Sequence, residues 1–190
     1  WVQLRSILNT SVLGTPTADG APRKLIVFTE HRDTLDYLNR RITALLGSQD
    51  AVVAIHGGVA RKERTRIQEE FTRNPNVVVL VATDAAGEGL NLQRAHLMVN
   101  YDLPWNPMRL AQRIGRLYRY GQKHHVVAIN LQGVASADDQ VVSNMYARLE
   151  QVAADMAGVD QTSSENLVSD IVGELASLLD VEAILEEAAT

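Results

Sequence analysis

VVVLVATDAAGEG, residues 77–89, gives the strongest indication of the fold, because an uninterrupted apolar run leads directly into a small polar turn. The first five of these residues lack the polar alternation of a half-exposed strand. They indicate a strand that is buried on both faces of a parallel sheet. Thr83 and Asp84 follow where that strand ends. Open α/β sheets bind ligands beyond the carboxyl ends of their strands, so these two side chains are candidates for a site.

Glycine, carboxylate and amide groups follow the same strand end within a few residues. Gly87 and Gly89 allow the backbone to approach a ligand closely, and Glu88 and Asn91 add hydrogen-bonding groups. Taken alone, the segment is equally compatible with an ordinary strand-to-helix turn. A ligand site is favoured only in combination with a second motif.

Strand and helix patterns alternate along most of the chain. Short apolar runs predict strands at residues 24–29, 51–55, 77–82, 95–101 and 125–131, and the third of these is expected to be the central strand. Helical spacing predicts helices at residues 33–46, 61–73 and 107–114. This alternation indicates an α/β fold with a parallel sheet of about five strands flanked by helices. Weaker helical spacing occurs at residues 1–13, and further helices are predicted at residues 140–156, 167–179 and 181–188.

The second motif is QRIGRLYRYGQ, residues 112–122, in which Arg113, Arg116 and Arg119 recur at every third position and Gly115 interrupts the segment. In a continuous helix this spacing would bring three positive charges close to one face, where they repel one another. A purely structural element gains little from that arrangement. Planar guanidinium groups, however, bind phosphate oxygens through paired hydrogen bonds. A solvated basic turn is the simpler alternative.

Together the two motifs resemble motifs V and VI of superfamily-two helicases in their Swi/Snf-like form. YDLPWNPMRLAQRIGR, residues 101–116, is especially similar to that group. KLIVFTEHRDTLDYL, residues 24–38, resembles motif IV, and IHGGVARKERTRIQEEF, residues 55–71, resembles the next conserved block. The resemblance covers about residues 24–131. It implies a RecA-like fold, the second of the two lobes of such a motor, with a helical C-terminal extension.

The resemblance also implies roles for individual side chains. The catalytic candidates, which match arginines that act at the γ-phosphate of ATP, are Arg116 and Arg119. The nucleotide-binding candidates are Gly87, Glu88, Gly89, Asn91 and Arg113. The residues implied to contact the DNA backbone are Thr29, His56, Gly57, Gly58, Arg64 and Thr83. In the family, the arginine matched by Arg113 often pairs internally with an acidic residue, and His56 is equally suited to cap a strand end.

Two motifs of such motors are absent from the sequence. No GxxxxGK[ST] loop is present to hold the β- and γ-phosphates or to place Mg²⁺, and there is no DEAD-like or DEAH-like acidic box. In the family, both belong to the first lobe. ATP and Mg²⁺ are therefore expected to be held mainly by an N-terminal RecA-like lobe of the same polypeptide, with double-stranded DNA as the other partner. The chain alone is expected to hydrolyse ATP negligibly.

Charge is distributed unevenly along the chain. Residues 1–125 carry 17 Lys and Arg against 11 Asp and Glu, a net charge of +6, whereas residues 126–190 carry 1 against 12, a net charge of −11. Because phosphate contacts require positive potential, nucleic acid is expected to bind the first part. Together with this charge asymmetry, the resemblance implies a division into an N-terminal helix and loop (residues 1–22), a helicase C-terminal RecA-like lobe (residues 23–135) and an acidic helical extension (residues 136–190).

Composition limits which cross-links, metal sites and cellular locations we expect for the chain. The chain has no cysteine, so disulfides and thiolate zinc sites are excluded, and no other metal site is predicted. The apolar runs are too short to cross a membrane, no signal peptide is visible, and a cytoplasmic location is expected. Because the first residue is Trp1, the chain is expected to be a fragment of a longer protein.

Three functional hypotheses remain open. The chain is the motor lobe of a double-stranded DNA translocase, the same lobe in an ATPase that acts on RNA or on an RNA polymerase complex, or a non-catalytic interaction module that keeps the fold. The WNP and GEGLN segments, residues 105–107 and 87–91, favour the first hypothesis over the second. The presence of both Arg116 and Arg119 disfavours the third.

Overall fold

Five parallel strands form a single sheet in the computed structural model, which describes residues 1–9, 16, 20–87, 90–104, 107–117 and 126–131. The strands are β1 (Leu25–Thr29), β2 (Val52–Ile55), β3 (Val79–Thr83), β4 (Leu97–Asn100) and β5 (Val127–Asn130). Their order across the sheet is β2-β3-β1-β4-β5, and every neighbouring pair is parallel. The predicted α/β fold with a five-stranded parallel sheet is therefore confirmed.

The helices of the described residues are α1 (Val2–Asn9), α2 (Arg32–Leu46), α3 (Arg61–Arg73), α4 (Asp84–Gly87) and α5 (Pro107–Leu117), with a short 3₁₀ turn at Gln49–Ala51. Helix α2 ends at Gly47, whose φ of 66° lies in the left-handed region, and the Gly47 N–H donates to the Thr43 carbonyl over 3.0 Å. Glycine adopts this conformation without the steric cost that a side chain would add. None of the described helices is both long and apolar enough to cross a membrane.

Both faces of the sheet are buried, because alternate strand residues pack against different helices. On one face, strand residues meet α3 and α5 in a cluster that includes Ile26, Phe28, Leu80, Met98, Ile67, Phe71, Leu110, Ile114 and Leu117. On the other face, the alternate positions meet α1 and α2 in a cluster that includes Leu25, Val27, Val79, Val81, Leu97, Val99, Leu4, Ile7, Leu8, Leu35, Leu38 and Ile42. This double burial accounts for the uninterrupted apolar runs of the strands.

Two expectations about these elements were wrong. The strand after residue 76 is not central, since β1 lies at the centre and β3 lies beside it. Both strands are apolar except for a final threonine, so composition alone could not order them. The arginine helix does not end at residue 114 but continues through Gly115 to Leu117. A helix accommodates an interior glycine at a cost of about 1 kcal/mol, and the complete burial of Leu117 favours the added turn.

The amino-terminal end of the sheet contains a buried cation, Lys24. Its Nζ donates to the main-chain carbonyls of Asn74 and Val77 over 2.7 and 2.6 Å and lies 5.2 Å from the centre of the Phe71 ring. Burial, together with the nearby positive charge of Arg94, lowers the pKa of Lys24 to about 8. Lys24 therefore ties β1 to the connection between α3 and β3.

Some expected elements lie outside the described residues. These are the end of the N-terminal helical segment, residues 10–13, and the three helices predicted at residues 140–156, 167–179 and 181–188. The division of the chain at residues 22 and 135 remains a prediction.

Candidate nucleotide and nucleic-acid site

The carboxyl end of the sheet gathers polar side chains that are buried. Thr29, Thr83, Asn100 and Asn130 are the last residues of β1, β3, β4 and β5, and all four have little or no exposed surface. A buried polar group costs free energy unless it is hydrogen-bonded. The partners of these groups therefore reveal how the local structure is held.

Arg113 on α5 is the central member of this group. Its Nε and Nη2 donate to the two carboxylate oxygens of Asp84 over 2.6 and 2.8 Å. Its Nη1 donates to Asn100 Oδ1 over 3.0 Å and to the Asp102 carbonyl over 2.9 Å. The guanidinium carbon lies 5.4 Å from the centre of the Phe28 ring, and only 1 % of the side chain is exposed. Arg113 therefore fixes α5 against the ends of β3 and β4.

The ion pair also settles how the charge of Arg113 is compensated. A buried charge is tolerated when a partner of opposite sign and further hydrogen bonds surround it, and the bidentate arrangement adds geometric precision. The internal pairing with an acidic residue that the resemblance implies for Arg113 is present, with Asp84 as the partner. A direct nucleotide contact by Arg113 remains a prediction.

A small pocket of about 150 Å³ opens beside this ion pair, and it is lined by Asp84, Ala85, Arg109, Gln112, Arg113 and Arg116. Arg116 follows Arg113 by one helical turn and is 8 % exposed. The pocket is smaller than the roughly 300–1,000 Å³ of complete small-molecule sites. Its arginine lining suits a phosphate group.

Arg109 lines the same pocket from the exposed side. About half of its side chain, 52 %, is exposed, and its Nη1 lies 3.3 Å from Glu30 Oε1. Glu30 follows β1, and its N–H donates to Asp102 Oδ1 over 2.8 Å. The connection after β1 and the start of α5 are therefore linked beside the pocket.

The loop between β2 and α3 is held in shape by its own residues. Arg64 donates from Nε to the Val59 carbonyl and from Nη2 to the Gly57 carbonyl, each over 2.8 Å. The Gly58 N–H donates to His56 Nδ1 over 3.1 Å. A Cβ at Gly57 would lie 3.1 Å from the Cβ of Ala85, which also lines the pocket. The loop therefore packs directly against the pocket wall, where only a glycine fits without displacement.

The two threonines differ in their hydrogen bonding. The Thr29 hydroxyl donates to Asp102 Oδ2 and is fully buried, so a phosphate contact there would require Asp102 to release it. The Thr83 hydroxyl is also buried, and it has no hydrogen-bond partner within the described part of the chain. An unsatisfied buried hydroxyl is a candidate for a ligand contact that arises on binding. DNA contacts by both threonines remain predictions.

A family profile described as the helicase conserved C-terminal domain matches residues 7–121. The chain belongs to this family. The match includes helices α2 to α5, the end of α1 and the first four strands of the sheet. The ion pair of Arg113 with Asp84 and the adjoining pocket are therefore parts of a helicase C-terminal lobe.

Known helicases are similar to the chain over most of its length. It is 34 % identical over 164 residues to an uncharacterized ATP-dependent helicase, YqhH, of Bacillus subtilis, covering 86 % of this chain and 28 % of the relative. It is 34 % identical over 138 residues to the ATP-dependent RNA helicase eIF4A of Aspergillus fumigatus, covering 70 % of this chain and 32 % of the relative. The chain thus spans less than a third of the length of these relatives.

Two solved structures share the fold. The C-terminal part of the Fun30 ATPase domain superposes with a TM-score of 0.59 at 21 % identity, covering 64 % of this chain and 38 % of that one. The Escherichia coli DEAD-box protein SrmB, bound to the regulator of ribonuclease activity A, gives 0.58 at 23 % identity, covering 77 % of this chain and 76 % of that one. The expectation of a RecA-like fold is confirmed.

The helicase lobe brings several of the predicted residues together. Arg113 and Arg116 share the pocket, His56, Gly57 and Gly58 belong to the adjoining loop, and Arg64 at the start of α3 donates to that loop. The Leu92 N–H donates to the Arg116 carbonyl over 3.2 Å, which ties the segment carrying Asn91 to the end of α5. Gly87 ends α4. The remaining candidates, Glu88, Gly89 and Arg119, lie outside the described residues.

Sequence reasoning missed three residues of this site, namely Asn100, Asp102 and Asn130. Each lies at or just beyond the carboxyl end of β4 or β5. That position was the available signal, because parallel strands present their ends at the same side of a sheet. A single polar residue at a strand end is nonetheless common, and the sequence does not reveal which of them is buried.

Proposed function

We propose that this lobe is the second half of the motor of an ATP-dependent double-stranded DNA translocase of the Swi/Snf type. The observation that carries the proposal is the buried ion pair between Arg113 and Asp84. It fixes α5, on which Arg116 follows one turn later at the wall of the pocket. The resemblance of residues 101–116 to Swi/Snf-like motors supports the choice of DNA.

In the proposed mechanism, ATP supplies a transferable γ-phosphoryl group and is held between this lobe and an N-terminal lobe of the same polypeptide. Arg116 and Arg119 donate hydrogen bonds to the charge that develops on that group. Such arginine contacts contribute about 10³–10⁵ in rate in related nucleotide hydrolases. We assign the β-phosphate contacts and Mg²⁺ to the first lobe, since the sequence of this chain has no GxxxxGK[ST] loop.

The loop between β2 and α3 is the proposed contact with the DNA backbone. Gly57 and Gly58 are exposed, and glycine lets a phosphate approach the backbone N–H groups closely. Arg64 holds the loop and adds positive charge beside it. Gly57 packs against Ala85 at the pocket wall. A conformational change caused by nucleotide binding or hydrolysis would therefore move this loop.

A second candidate function is an RNA-directed ATPase. The specific observation in its favour is the similarity to eIF4A, an ATP-dependent RNA helicase, at 34 % identity over 138 residues. The sequence of residues 105–107, WNP, supports the DNA-directed alternative. We therefore keep DNA as the proposal and RNA as the competing outcome of the test.

The ATPase activity of the complete protein, measured with different nucleic acids, distinguishes a DNA-directed motor from an RNA-directed one. We expect double-stranded DNA to raise kcat by at least about tenfold, with RNA duplexes and single strands well below it. Stimulation by RNA alone would replace the proposal by its alternative. The 190-residue chain by itself is expected to give no turnover above background. DNA-stimulated turnover from the pure chain would contradict the assignment of the phosphate-binding loop to another lobe.

Arginine substitutions in the complete protein test the catalytic assignment. Arg119→Ala and Arg116→Ala are expected to lower kcat by about 10²-fold or more, with DNA affinity changed by less than about threefold. Arg73→Gln is the matched control, because Arg73 is an exposed arginine in the last turn of α3, far from the pocket. Unchanged kcat in both variants would leave only a binding module.

A further inference from the structure

Two asparagines form a buried pair at the ends of neighbouring strands. Asn100 and Asn130 are directly opposite one another in the parallel register of β4 and β5, and each is the last residue of its strand. Asn100 Nδ2 donates to Asn130 Oδ1 over 2.7 Å. Asn100 is fully buried and Asn130 nearly so. The pair lies beneath the arginine helix rather than at the surface.

The sheet itself does not need amides at these positions. Apolar residues would fill the same space without the cost of removing an amide from water. A second hydrogen bond of Asn100 explains why an amide occupies this position. Asn100 Oδ1 accepts this hydrogen bond from Arg113 Nη1 over 3.0 Å. A continuous chain of side chains thus runs from Asn130 through Asn100 and Arg113 to Asp84.

We propose that Asn100 and Asn130 are positioning residues for the arginine helix, and that they act on hydrolysis through Arg113. Asp84 holds Nε and Nη2 of Arg113, whereas Asn100 and the Asp102 carbonyl hold Nη1. Asn130 in turn holds the amide of Asn100 with its oxygen facing Arg113. A fully hydrogen-bonded buried network of this kind fixes one arrangement of its members.

Loss of this network is expected to change the position of Arg116. That residue lies on the same helix one turn from Arg113 and lines the pocket. If Nη1 loses its side-chain acceptor, the guanidinium is held by one fewer contact and α5 gains freedom to shift. An arginine displaced by about 1 Å can cost about 10²-fold in rate, whereas substrate binding that depends on other groups is preserved. This inference rests on the proposed ATPase, and it predicts a loss in kcat rather than in KM.

The test uses ATPase of the complete protein with four variants, Asn100→Leu, Asn130→Leu, the double variant and Val99→Ala. Val99 is the neighbouring buried residue on the opposite face of β4, so its truncation lowers stability without touching the network. Each variant is assayed well below its own unfolding temperature. We expect kcat to fall at least tenfold in Asn100→Leu and about threefold in Asn130→Leu, with KM and DNA affinity within threefold. Val99→Ala is expected to keep kcat within twofold.

The double variant distinguishes positioning from loss of stability. Because Asn130 acts through Asn100, the double variant is expected to have the same kcat as Asn100→Leu, while its unfolding temperature falls further. If kcat of Asn100→Leu is no lower than that of Val99→Ala, the proposal is overturned. If Asn100→Leu does not fold, Asn130→Leu alone tests the proposal. In that case, a kcat of Asn130→Leu equal to that of Val99→Ala overturns the proposal.

A second measurement is independent of ATP hydrolysis. In the NMR spectrum of the 190-residue chain, Arg113 Nε–H is expected to exchange slowly because Asp84 covers it. Exchange is expected to accelerate at least tenfold in Asn100→Leu and to stay within twofold in Val99→Ala. Unchanged exchange in Asn100→Leu overturns the positioning role whatever the ATPase shows. Faster exchange in a protein without ATPase supports the positioning of Arg113 and rejects the proposed function instead.

Discussion

The two ends of the sheet each bury a basic side chain, and they compensate its charge in different ways. At the carboxyl end, Arg113 is matched by the Asp84 carboxylate and by two further oxygen acceptors. At the amino end, Lys24 donates to two main-chain carbonyls, and burial, followed by the nearby cation Arg94, lowers its pKa to about 8. The first arrangement pairs its cation with an anion and fixes the direction of the guanidinium, whereas the second lowers the pKa of its own cation.

The difference shows what each end contributes. Lys24 joins main-chain segments and serves the fold alone. The ion pair at the other end neutralises Arg113 and holds it, and the pocket beside it is also lined by Arg109 and Arg116. An enzyme that stabilises charge on a transferring group needs donors that are fixed before the reaction begins. Under the proposed function, the network around Arg113 would meet that need, whereas Lys24 has no role in hydrolysis.

The largest effect is expected from breaking the ion pair. Asp84→Asn removes the closer of the two carboxylates that pair with the buried Arg113 and leaves the Asp102 carboxylate, 3.7 Å from Nη2, so the free energy of unfolding of the chain should fall by about 3 kcal/mol. Urea denaturation measures this change. Glu63→Gln is the control, since it removes the exposed ion pair with Arg66 and should leave the midpoint unchanged. Equal midpoints for Asp84→Asn and wild type would refute the contrast between the two ends.

The pH dependence of stability tests the other end. The pKa of Lys24 is about 8 in the folded chain, below its ordinary value of 10.5, so the unfolded chain binds the extra proton between these values. Stability should therefore rise with pH in that window, relative to Lys24→Met, by about 1–2 kcal/mol between about pH 8 and pH 9.5. Burial raises the pKa of Tyr101 above 10.0, so its ionisation does not interfere.

Urea midpoints of wild type and Lys24→Met across this range provide the measurement. Parallel curves for the two proteins would show that Lys24 keeps its full charge, and the two buried cations would then be equivalent.

A smaller effect is expected where the loop packs against the pocket wall. Gly57→Ala places a Cβ at 3.1 Å from that of Ala85, so the loop must shift. Affinity of the complete protein for double-stranded DNA should fall about three- to tenfold, because overpacking displaces the proposed backbone contacts. Fluorescence anisotropy at fixed salt measures it. Affinity equal to wild type would remove this loop from the DNA contact.

The smallest effect has the opposite sign. A Cβ at Gly115 would meet no atom within 4 Å, and Gly115 lies inside α5. Gly115→Ala should therefore stabilise the chain by about 0.5–1 kcal/mol through helix propensity alone. Thermal unfolding detects this gain, and a loss of stability would mean that the surroundings of α5 differ from those described.

The sequence predicted the elements of this fold better than their arrangement. Parallel strands buried on both faces give continuous apolar runs, so β1 and β3 were recognisable. Their positions in the sheet were not, because both runs look alike and β1 rather than β3 lies at the centre. The continuation of α5 past Gly115 was missed for a similar reason, since the burial of Leu117 depends on packing partners distant in sequence.

In the candidate site, too, some features could be recognised in the sequence and others depended on tertiary packing. The spacing of the arginines and the glycine loop could be recognised locally, and they pointed to the correct side of the sheet. The roles of Asn100 and Asn130 could not be recognised from the sequence. They depend on hydrogen bonds that form only when a neighbouring strand and a helix pack against these amides. Pairing between β4 and β5 is set by tertiary structure, which a linear pattern does not contain.

The central claim is that α5 is held by Arg113 so that the arginines after it reach the nucleotide. A structure of the complete protein trapped with an ATP mimic tests it most directly. Guanidinium nitrogens of Arg116 and Arg119 should lie about 2.7–3.0 Å from oxygens of the γ-phosphate position, with Arg113 still on Asp84. Both guanidinium groups turned into solvent, with the phosphates contacted by the first lobe alone, would contradict the account.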